Sequence, residues 1–354
     1  MNGKKWSICM LSLCLVLLLS AATLTGMIDP FFHYHAPLEQ LAYPLNNQRY
    51  QNDGIVKNFA YDALITGTSL TENFKTSEFD ALFGTRSVKV CFSGGTYAEI
   101  TSNLQQALKA NPQIRYVLYG MDEWNLYGGK ELILASGEYP TYLYDDKLFN
   151  DVQYLFNKDI LCNDTLGVLY HTHSGSSTTT FDDYSSWEFP TGKAAVLEGY
   201  NRAEKVDTPT PFTDGMAQTM RDNLEKNIIA LANAHPDTLF LFFFPPYSIL
   251  NWDAHMQEGI MDMHIDAMTL ASEILLEADN IQLYSFYDDY SLCTDFDNYR
   301  DIAHYHSGIN SELLRRMHAG EYRLTKENYK AHWEQVRQFY STYDYEAIFA
   351  ENPM

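Results

Sequence analysis

Five short apolar runs that alternate with longer amphipathic segments constrain the fold of this chain more than any other feature. The runs are apolar on both faces and end near Gly, Pro or polar residues, which is typical of buried strands. They cover residues 61–67, 87–95, 114–120, 238–244 and 281–287, and the helical segments cover residues 96–112, 215–236, about 254–278 and 307–320. Strands of this kind that alternate with helices form a parallel sheet covered on both faces. The sequence therefore predicts an α/β fold with three layers, α/β/α, and a five-stranded parallel sheet.

An uncharged apolar run occupies residues 7–28, with two lysines before it and an aspartate after it. About 20 apolar residues suffice to cross a bilayer as a helix. Because positive charge stays on the cytoplasmic side, we expect residues 1–28 to be a cytoplasmic tail and signal anchor, with the main domain outside the cell. Small residues at 20–22 leave a cleaved signal peptide as the alternative. The apolar run continues past them, which favours a retained anchor and a single-pass protein of the cell membrane.

The remaining chain is predicted to contain a stalk and one enlarged domain. Residues 29–56 are rich in aromatic residues, Pro and Asn and are expected to form a stalk that packs on the domain. Residues 57–354 form the domain, with a loop-rich insertion at about 123–211. The chain has 46 acidic and 24 basic residues and a formal net charge of −22. Such a charge repels phosphate backbones, so nucleic-acid binding is not expected.

Polar residues follow the predicted strands, at the edge where ligands bind in open parallel sheets. Ser69 follows the first strand, Gly94 and Gly95 end the second, and Asp301 and His304 precede the last predicted helix. A serine, an imidazole that takes its proton and a carboxylate that orients the imidazole are the parts of a hydrolytic triad. The set therefore indicates nucleophilic catalysis by Ser69.

The order of these motifs resembles that of the SGNH (GDSL-like) hydrolase superfamily. The resemblance covers about residues 61–320, the insertion excepted, and the anchor is similar to that of a membrane-bound branch that modifies bacterial cell envelopes. This branch includes the D-alanyl-lipoteichoic acid synthesis protein and partners of membrane-bound O-acyltransferases. The resemblance implies a flavodoxin-like sheet, Ser69 as nucleophile, His304 as base, Asp301 as orienting acid, and an oxyanion hole formed by the backbone N–H groups of Ser69 and Gly95, with Gly94 as the alternative.

Two positions depart from the family's pattern. Block I reads Gly-Thr-Ser-Leu instead of Gly-Asp-Ser-Leu, and Asp122 stands where block III carries an Asn that donates to the oxyanion. An ionised carboxylate cannot donate a hydrogen bond, and losing one such donor costs about 10²–10³ in rate. Either Asp122 is protonated, or Asn125 or another group replaces the donor, or the chain is a poor hydrolase.

The resemblance implies an extracytoplasmic serine esterase or O-acyltransferase that needs no cofactor and acts on a cell-envelope glycan or teichoic acid. A membrane-bound O-acyltransferase is the implied partner. The net charge of −22 disfavours a polyanionic acceptor and favours a neutral glycan. The departure at Asp122 leaves an alternative, a weak or inactive SGNH-like protein that binds glycan or assists assembly. We expect Tyr247 and Arg300, in loops that follow strands, to contact the substrate.

Three pairs of alternating histidines raise the question of a metal site: His33 and His35, His171 and His173, and His304 and His306. In an extended segment, alternating residues lie on the same side, as ligands of one ion would. However, alternating histidines are commonly surface residues, and no carboxylate or Cys joins these pairs at a recognised spacing. We therefore expect no metal, and we keep His306 only as an alternative base to His304.

Overall fold

The computed structural model describes residues 3–134, 139–145 and 147–350, which surround one mixed β-sheet. Its strands are β1 (Ala63–Thr66), β2 (Ser87–Lys89), β3 (Tyr116–Gly120), β4 (Leu239–Phe244), β5 (Ile281–Ser285) and β6 (Arg323–Leu324). They lie in the order β2-β1-β3-β4-β5-β6. The first five strands pair in parallel, and β6 pairs with β5 in the antiparallel direction. The chain therefore has an α/β fold.

The prediction of a sheet of five parallel strands is wrong at one edge. All five predicted strands are present, but the chain turns back after its last predicted helix and adds β6 beside β5. The reversal uses two residues in the left-handed region, Gly320 (φ +77°) and Tyr322 (φ +58°). A strand of two residues has no apolar pattern that sequence reasoning could detect.

The α-helices cover about half of the other described residues. They are α1 (Gly3–Ile28), α2 (Gln48–Asn58), α3 (Thr76–Phe83), α4 (Tyr97–Ala110), α5 (Val152–Leu155), α6 (Leu166–His173), α7 (Lys193–Glu198), α8 (Asp214–Leu224), α9 (Ala230–Ala234), α10 (Ile249–Gln257), α11 (Met261–Leu275), α12 (Tyr290–Thr294), α13 (Ser307–Ala319), α14 (Tyr329–Thr342) and α15 (Glu346–Ala350). Short 3₁₀ turns occupy Ser69–Thr71, Glu123–Tyr127, Thr141–Leu143 and Phe296–Asn298, and π-helical turns occupy Ile160–Thr165 and Glu225–Ile229. In one group of helices, α2 lies against α4, and α11 lies against both α8 and α14; in another, α3 lies against α13.

Helix α1 is long and apolar enough to cross a membrane, with a mean hydropathy of 2.4 over its most apolar window. Most of its length is exposed, and only its last turns pack on the domain, where they contact α5 and the π-helical turn Ile160–Thr165. Asp29 ends the helix, and its carboxylate accepts hydrogen bonds from three following backbone N–H groups at 2.7–3.0 Å and from the Tyr154 hydroxyl at 2.7 Å. The helix is therefore fixed to the domain at one end.

The segment expected to be a stalk packs closely on the domain. Phe32 and Tyr43 are fully buried, and α2 lies against α4. The insertion at about 123–211 divides into two regions. Its first part packs beside α1, where Leu143, Tyr154 and Ile160 form a small apolar cluster with Phe31. Its second part reaches the carboxyl edge of the sheet, where Trp187 lies beside His304.

Candidate active site

Strand β1 delivers Ser69 to the carboxyl edge of the sheet through a turn that requires glycine. Gly67 has φ +145°, a conformation that L side chains rarely adopt. A Cβ at Gly67 would lie 2.0 Å from Thr71 Oγ1 and 3.0 Å from the Gly120 carbonyl oxygen. This close approach lets the chain start the 3₁₀ turn Ser69–Thr71 directly after β1. Ser69 therefore occupies the first position of a turn held against β3.

The structure brings Ser69, His304 and Asp301 together. Ser69 Oγ lies 2.9 Å from His304 Nε2, and His304 Nδ1 lies 2.9 Å and 3.1 Å from the two carboxylate oxygens of Asp301. Hydrogen-bond reach between nucleophile and base, and between base and orienting carboxylate, is the geometry that a serine triad needs. A proton on Nδ1 that bonds to Asp301 leaves Nε2 free to accept the Ser69 proton.

Asp301 is held in its ionised form. Partial burial raises the pKa of its carboxyl group, but hydrogen bonds from the His304 ring and backbone and from the Ala303 backbone outweigh this effect and lower the pKa below its ordinary value. The loop is closed at its base by a bridge between Tyr299 and Tyr305. These contacts fix the imidazole of His304 relative to Ser69.

The insertion contributes a residue that sequence reasoning missed. The Trp187 ring lies 5.5 Å from the His304 ring, edge to face. Its backbone N–H donates to the Asn73 side chain at 2.8 Å, which holds this part of the insertion beside the turn that carries Ser69. Aromatic side chains at this distance restrict the positions of a neighbouring ring.

The second glycine of the Gly-Gly pair is not available to an oxyanion. The backbone N–H of Gly95 donates to the Phe92 carbonyl at 2.7 Å. Gly94, with φ +60°, lines the cavity beside Ser69 instead. Within the described chain, the backbone N–H groups of Ser69 and Gly94 have no protein acceptor. The geometry therefore favours the alternative donor, Gly94, over Gly95.

Asp122, which stands where the resemblance implies an oxyanion donor, lines the cavity. It is 2% exposed; one carboxylate oxygen accepts from the Tyr247 hydroxyl at 2.7 Å, and the other accepts a short hydrogen bond from Thr68. Burial raises the pKa of Asp122 to about 6, although both hydrogen bonds and the nearby His304 act to lower it. Asn125 does not replace the missing donor, because it is not among the residues that line the cavity, and its amide donates to the Gly95 carbonyl at 2.9 Å.

The two residues expected to contact substrate differ in position. Tyr247 lines the cavity, but its hydroxyl is committed to Asp122. Arg300 lies outside the cavity wall, 3.8 Å from the centre of the Phe189 ring and 3.6 Å from Asp301. His306 is not placed as a base, because its ring Nδ1 accepts from the backbone N–H of Gly308 at the start of α13.

A buried carboxylate beside two histidines lies in the same wall. Glu123 directly follows Asp122 and contacts His255 and His264. Burial raises the pKa of Glu123, but the two histidines and hydrogen bonds outweigh it and lower the pKa to about 2. Burial lowers the pKa of His255 to about 4. Sequence reasoning missed this cluster, because its members are far apart along the chain. The one signal in the sequence was Glu123 itself, a second acidic residue directly after Asp122.

The cavity has a volume of about 320 Å³. It is lined by Thr68, Ser69, Leu70, Gly94, Asp122, Glu123, Trp124, Tyr247, Asn251, His255, Ala303 and His304. A larger groove of about 740 Å³ begins at Ser93, the residue before Gly94, and is lined by Asn46, Asn47, Gln48, Arg49, Tyr50, Ser93 and Ser185. The triad thus lies beside both a compact cavity and a polar groove.

No protein-family model matches the chain, and no curated protein is significantly similar to it. The function is therefore inferred from the geometry of the site and from the resemblance of its motifs.

Proposed function

We propose that this protein is a serine-dependent acyl esterase or O-acyltransferase of the bacterial cell envelope. The observation that carries the proposal is the arrangement of Ser69, His304 and Asp301 within hydrogen-bond reach at the mouth of a cavity. The 2-1-3-4-5 order of the parallel strands and the two groups of packed helices support a three-layer SGNH arrangement, to which β6 is an addition. No cofactor is needed for this chemistry.

The proposed reaction uses the triad in two stages. Ser69 Oγ attacks the carbonyl carbon of an acyl ester, while its proton passes to His304 Nε2 and then to the departing oxygen. The Ser69 and Gly94 N–H groups stabilise the negative charge on the carbonyl oxygen. In the second stage His304 takes a proton from water or from a sugar hydroxyl, whose oxygen attacks the acyl carbon. The bond between the acyl group and Ser69 Oγ then breaks, and His304 returns the proton to Ser69 Oγ. Water gives hydrolysis, and a sugar hydroxyl gives transfer.

An exposed apolar surface beside α1 supports attachment to a membrane. Phe149 is 98% exposed and Leu148 is 78% exposed, and Val152 and Phe156 are also exposed on the segment that contacts the end of α1. Apolar side chains in this position can enter the lipid interface. We propose a single-pass protein with its N-terminus in the cytoplasm, because Lys4 and Lys5 precede the span.

The polar groove supports a glycan as the acceptor. Its amide, hydroxyl and phenol groups offer the hydrogen bonds that sugar hydroxyls make, and Ser93 in its lining directly precedes Gly94 in the lining of the cavity. Arg49, its cationic side chain, is paired with the buried Glu99 at 3.0 Å. Among the described residues that line the groove, no other side chain is cationic, which suits a neutral glycan better than a teichoic acid. A membrane-bound O-acyltransferase in the same membrane is the proposed partner that supplies the acyl group.

Asp122 favours a second candidate function, that of a weakly active or inactive partner protein. Its carboxylate lies where an oxyanion donor is expected, and both of its oxygens accept hydrogen bonds. Such a site would bind the glycan and assist assembly without turning over the ester.

The two candidates are separated by covalent labelling and turnover. The full-length protein in detergent is treated with a fluorophosphonate probe, and hydrolysis of p-nitrophenyl acetate is measured in parallel. We expect stoichiometric labelling that Ser69→Ala abolishes and His306→Ala leaves unchanged. Loss of envelope acyl esters in cells that carry Ser69→Ala would support the substrate class. Equal labelling of wild type and Ser69→Ala, or no labelling of either, would contradict an enzyme and favour the binding partner.

A further inference from the structure

The cluster of Glu123, His255 and His264 has the composition of a metal site. The Glu123 side chain belongs to the 3₁₀ turn after β3, and the histidines belong to α10 and α11. Glu123 Oε2 lies 2.7 Å from His264 Nε2, and Glu123 Oε1 lies 3.4 Å from His255 Nε2. One potential ligand atom from each residue lies within 4.8 Å of the others. Three donor atoms from separate elements thus converge on one point.

The orientation of His264 is the second observation that points to a ligand. Its ring Nδ1 lies 2.8 Å from the Tyr127 hydroxyl, which leaves Nε2 directed at Glu123 and His255. This Nε2 atom is buried in a residue that is 1% exposed, and its contact with Glu123 Oε2 at 2.7 Å does not have hydrogen-bond geometry. A buried nitrogen that lies beside a carboxylate in poor hydrogen-bond geometry is better satisfied by an ion that both groups can bind.

We propose that Glu123, His255 and His264 bind one divalent transition-metal ion, of which zinc is the expected species. Two imidazoles and one carboxylate are the protein ligands of many catalytic zinc sites, which keep a fourth position open. Imidazole nitrogen favours zinc and its neighbours in the first transition row over magnesium or calcium. Zn–N and Zn–O bonds of about 2.0–2.2 Å place tetrahedral ligand atoms about 3.3–3.6 Å apart. The separation of 3.4 Å between Glu123 and His255 lies in this range, and the separation of 2.7 Å between Glu123 and His264 is shorter.

The groups around the cluster support its role. The Tyr127 oxygen at His264 Nδ1 matches the outer contact that metal-bound histidines make. Glu123 is oriented by the Asn251 amide at 3.0 Å and by the Tyr287 hydroxyl at 2.8 Å. The fully buried Trp252 packs edge to face on both histidine rings. Such a closed shell fixes the ligands on one side of the ion.

The other side of the cluster opens into the cavity of Ser69. Glu123, Asn251 and His255 all line that cavity, and the His255 side chain is 12% exposed. The open coordination position would therefore face a molecule bound beside the triad. The inference does not depend on the proposed esterase activity, because its test measures metal binding.

The test uses full-length, tag-free protein in detergent, freed of metal by chelator dialysis. We expect one Zn²⁺ per chain in competition with a chromogenic chelator, and the visible absorption of a low-symmetry site when Co²⁺ is bound. His264→Asn and His255→Asn should weaken Zn²⁺ binding by about 100-fold or more, and Tyr127→Phe by about 10-fold. The matched control is His171→Asn combined with His173→Asn, which should leave the affinity unchanged.

Circular dichroism checks that each variant is folded, and Tyr127→Phe serves as the test where a ligand variant does not fold. Substoichiometric Zn²⁺ in the wild type would overturn the proposal, and so would equal affinity in the wild type and the folded ligand variants. In either case the cluster would be a buried ion-pair network. If the wild type binds zinc but is not labelled at Ser69, the proposed enzyme activity would be contradicted and the proposed zinc site would not.

Discussion

The turn that carries Ser69 can be tested at Gly67. A methyl group added there would lie 2.0 Å from Thr71 Oγ1, and Gly67 also has φ +145°. Gly84 offers a matched control, because it has φ +62° but no heavy atom within 4 Å of an added Cβ. Gly67→Ala tests both strain and steric overlap, whereas Gly84→Ala tests backbone strain alone.

The structure gives the expected magnitudes. Gly84→Ala should cost about 1 kcal/mol in the free energy of unfolding, which is the strain of a left-handed residue with a Cβ. Gly67→Ala adds an overlap with a fully buried side chain, and overpacking of this kind costs about 1–3 kcal/mol beyond the strain. We therefore expect a loss of about 2–4 kcal/mol, unless the turn moves and displaces Ser69.

Thr71 makes the prediction sharper. Its hydroxyl oxygen is buried and, in the described structure, has no hydrogen-bond partner, so Thr71→Ala breaks no hydrogen bond. It also removes the atom nearest to the methyl group of Gly67→Ala and leaves the residue 71 Cβ at 3.1 Å. The double variant should therefore be more stable than the sum of the single changes predicts, by about 1–3 kcal/mol.

The assay combines urea unfolding, followed by tryptophan fluorescence, with the rate of fluorophosphonate labelling at Ser69. We expect Gly67→Ala to slow labelling, with a loss that is, expressed as a free energy, at least as large as the loss in the free energy of unfolding. In the Thr71→Ala background, part of the labelling rate and part of the stability should be restored. If Gly67→Ala costs no more than Gly84→Ala, or if its effect adds to that of Thr71→Ala without coupling, then this turn does not position the nucleophile as described.

Three further predictions concern the acid, the oxyanion site and the membrane surface. Asp301→Asn should lower kcat/KM for an activated ester by about 10⁴ with little change in the urea midpoint, because an amide favours the wrong tautomer of the histidine. Asp122→Asn should raise kcat/KM at pH 8 by about 10-fold or more, because an amide can donate where a carboxylate repels; an unchanged or lower value would place the oxyanion elsewhere. A polarity-sensitive dye on Phe149→Cys, in a chain without its other exposed cysteines, should shift to the blue in liposomes, whereas the same dye on Gln338→Cys in α14 should not.

The parallel strands were predictable because each is a short run that is apolar on both faces and bounded by turn residues. One predicted helix, about residues 254–278, is in fact two. The chain breaks at Gly259, which has φ +67° and separates α10 from α11. This break could not be predicted from apolar periodicity, which continues on both sides. It directs His255 and His264 toward Glu123 from different helices.

The triad was predictable because the carboxyl ends of parallel strands meet at one edge. The identity of the oxyanion donor was not, because it depends on the turn at Gly94, whose φ of +60° directs the Gly95 N–H to Phe92. The contact between Trp187 and His304 was also beyond sequence reasoning, since it depends on where a long insertion crosses the site. Local pattern gives elements and their order, whereas these contacts depend on tertiary geometry.

The two positions that differ from the SGNH motif, which this sequence resembles, are joined by one hydrogen bond. Thr68 stands where block I has Asp, Asp122 stands where block III has Asn, and the Thr68 hydroxyl donates to the Asp122 carboxylate. Of these two contacting positions, the carboxylate is thus at 122 in this chain, whereas the SGNH motif has it at the position of Thr68. Thr68→Asp alone would bury two carboxylates together, with a large loss of stability. Combining it with Asp122→Asn gives the residues of the SGNH motif that the sequence resembles, so we expect the double variant to recover stability and to exceed the wild type in labelling rate. If the double variant is no more stable than Thr68→Asp, then the two departures are independent and Asp122 needs another explanation.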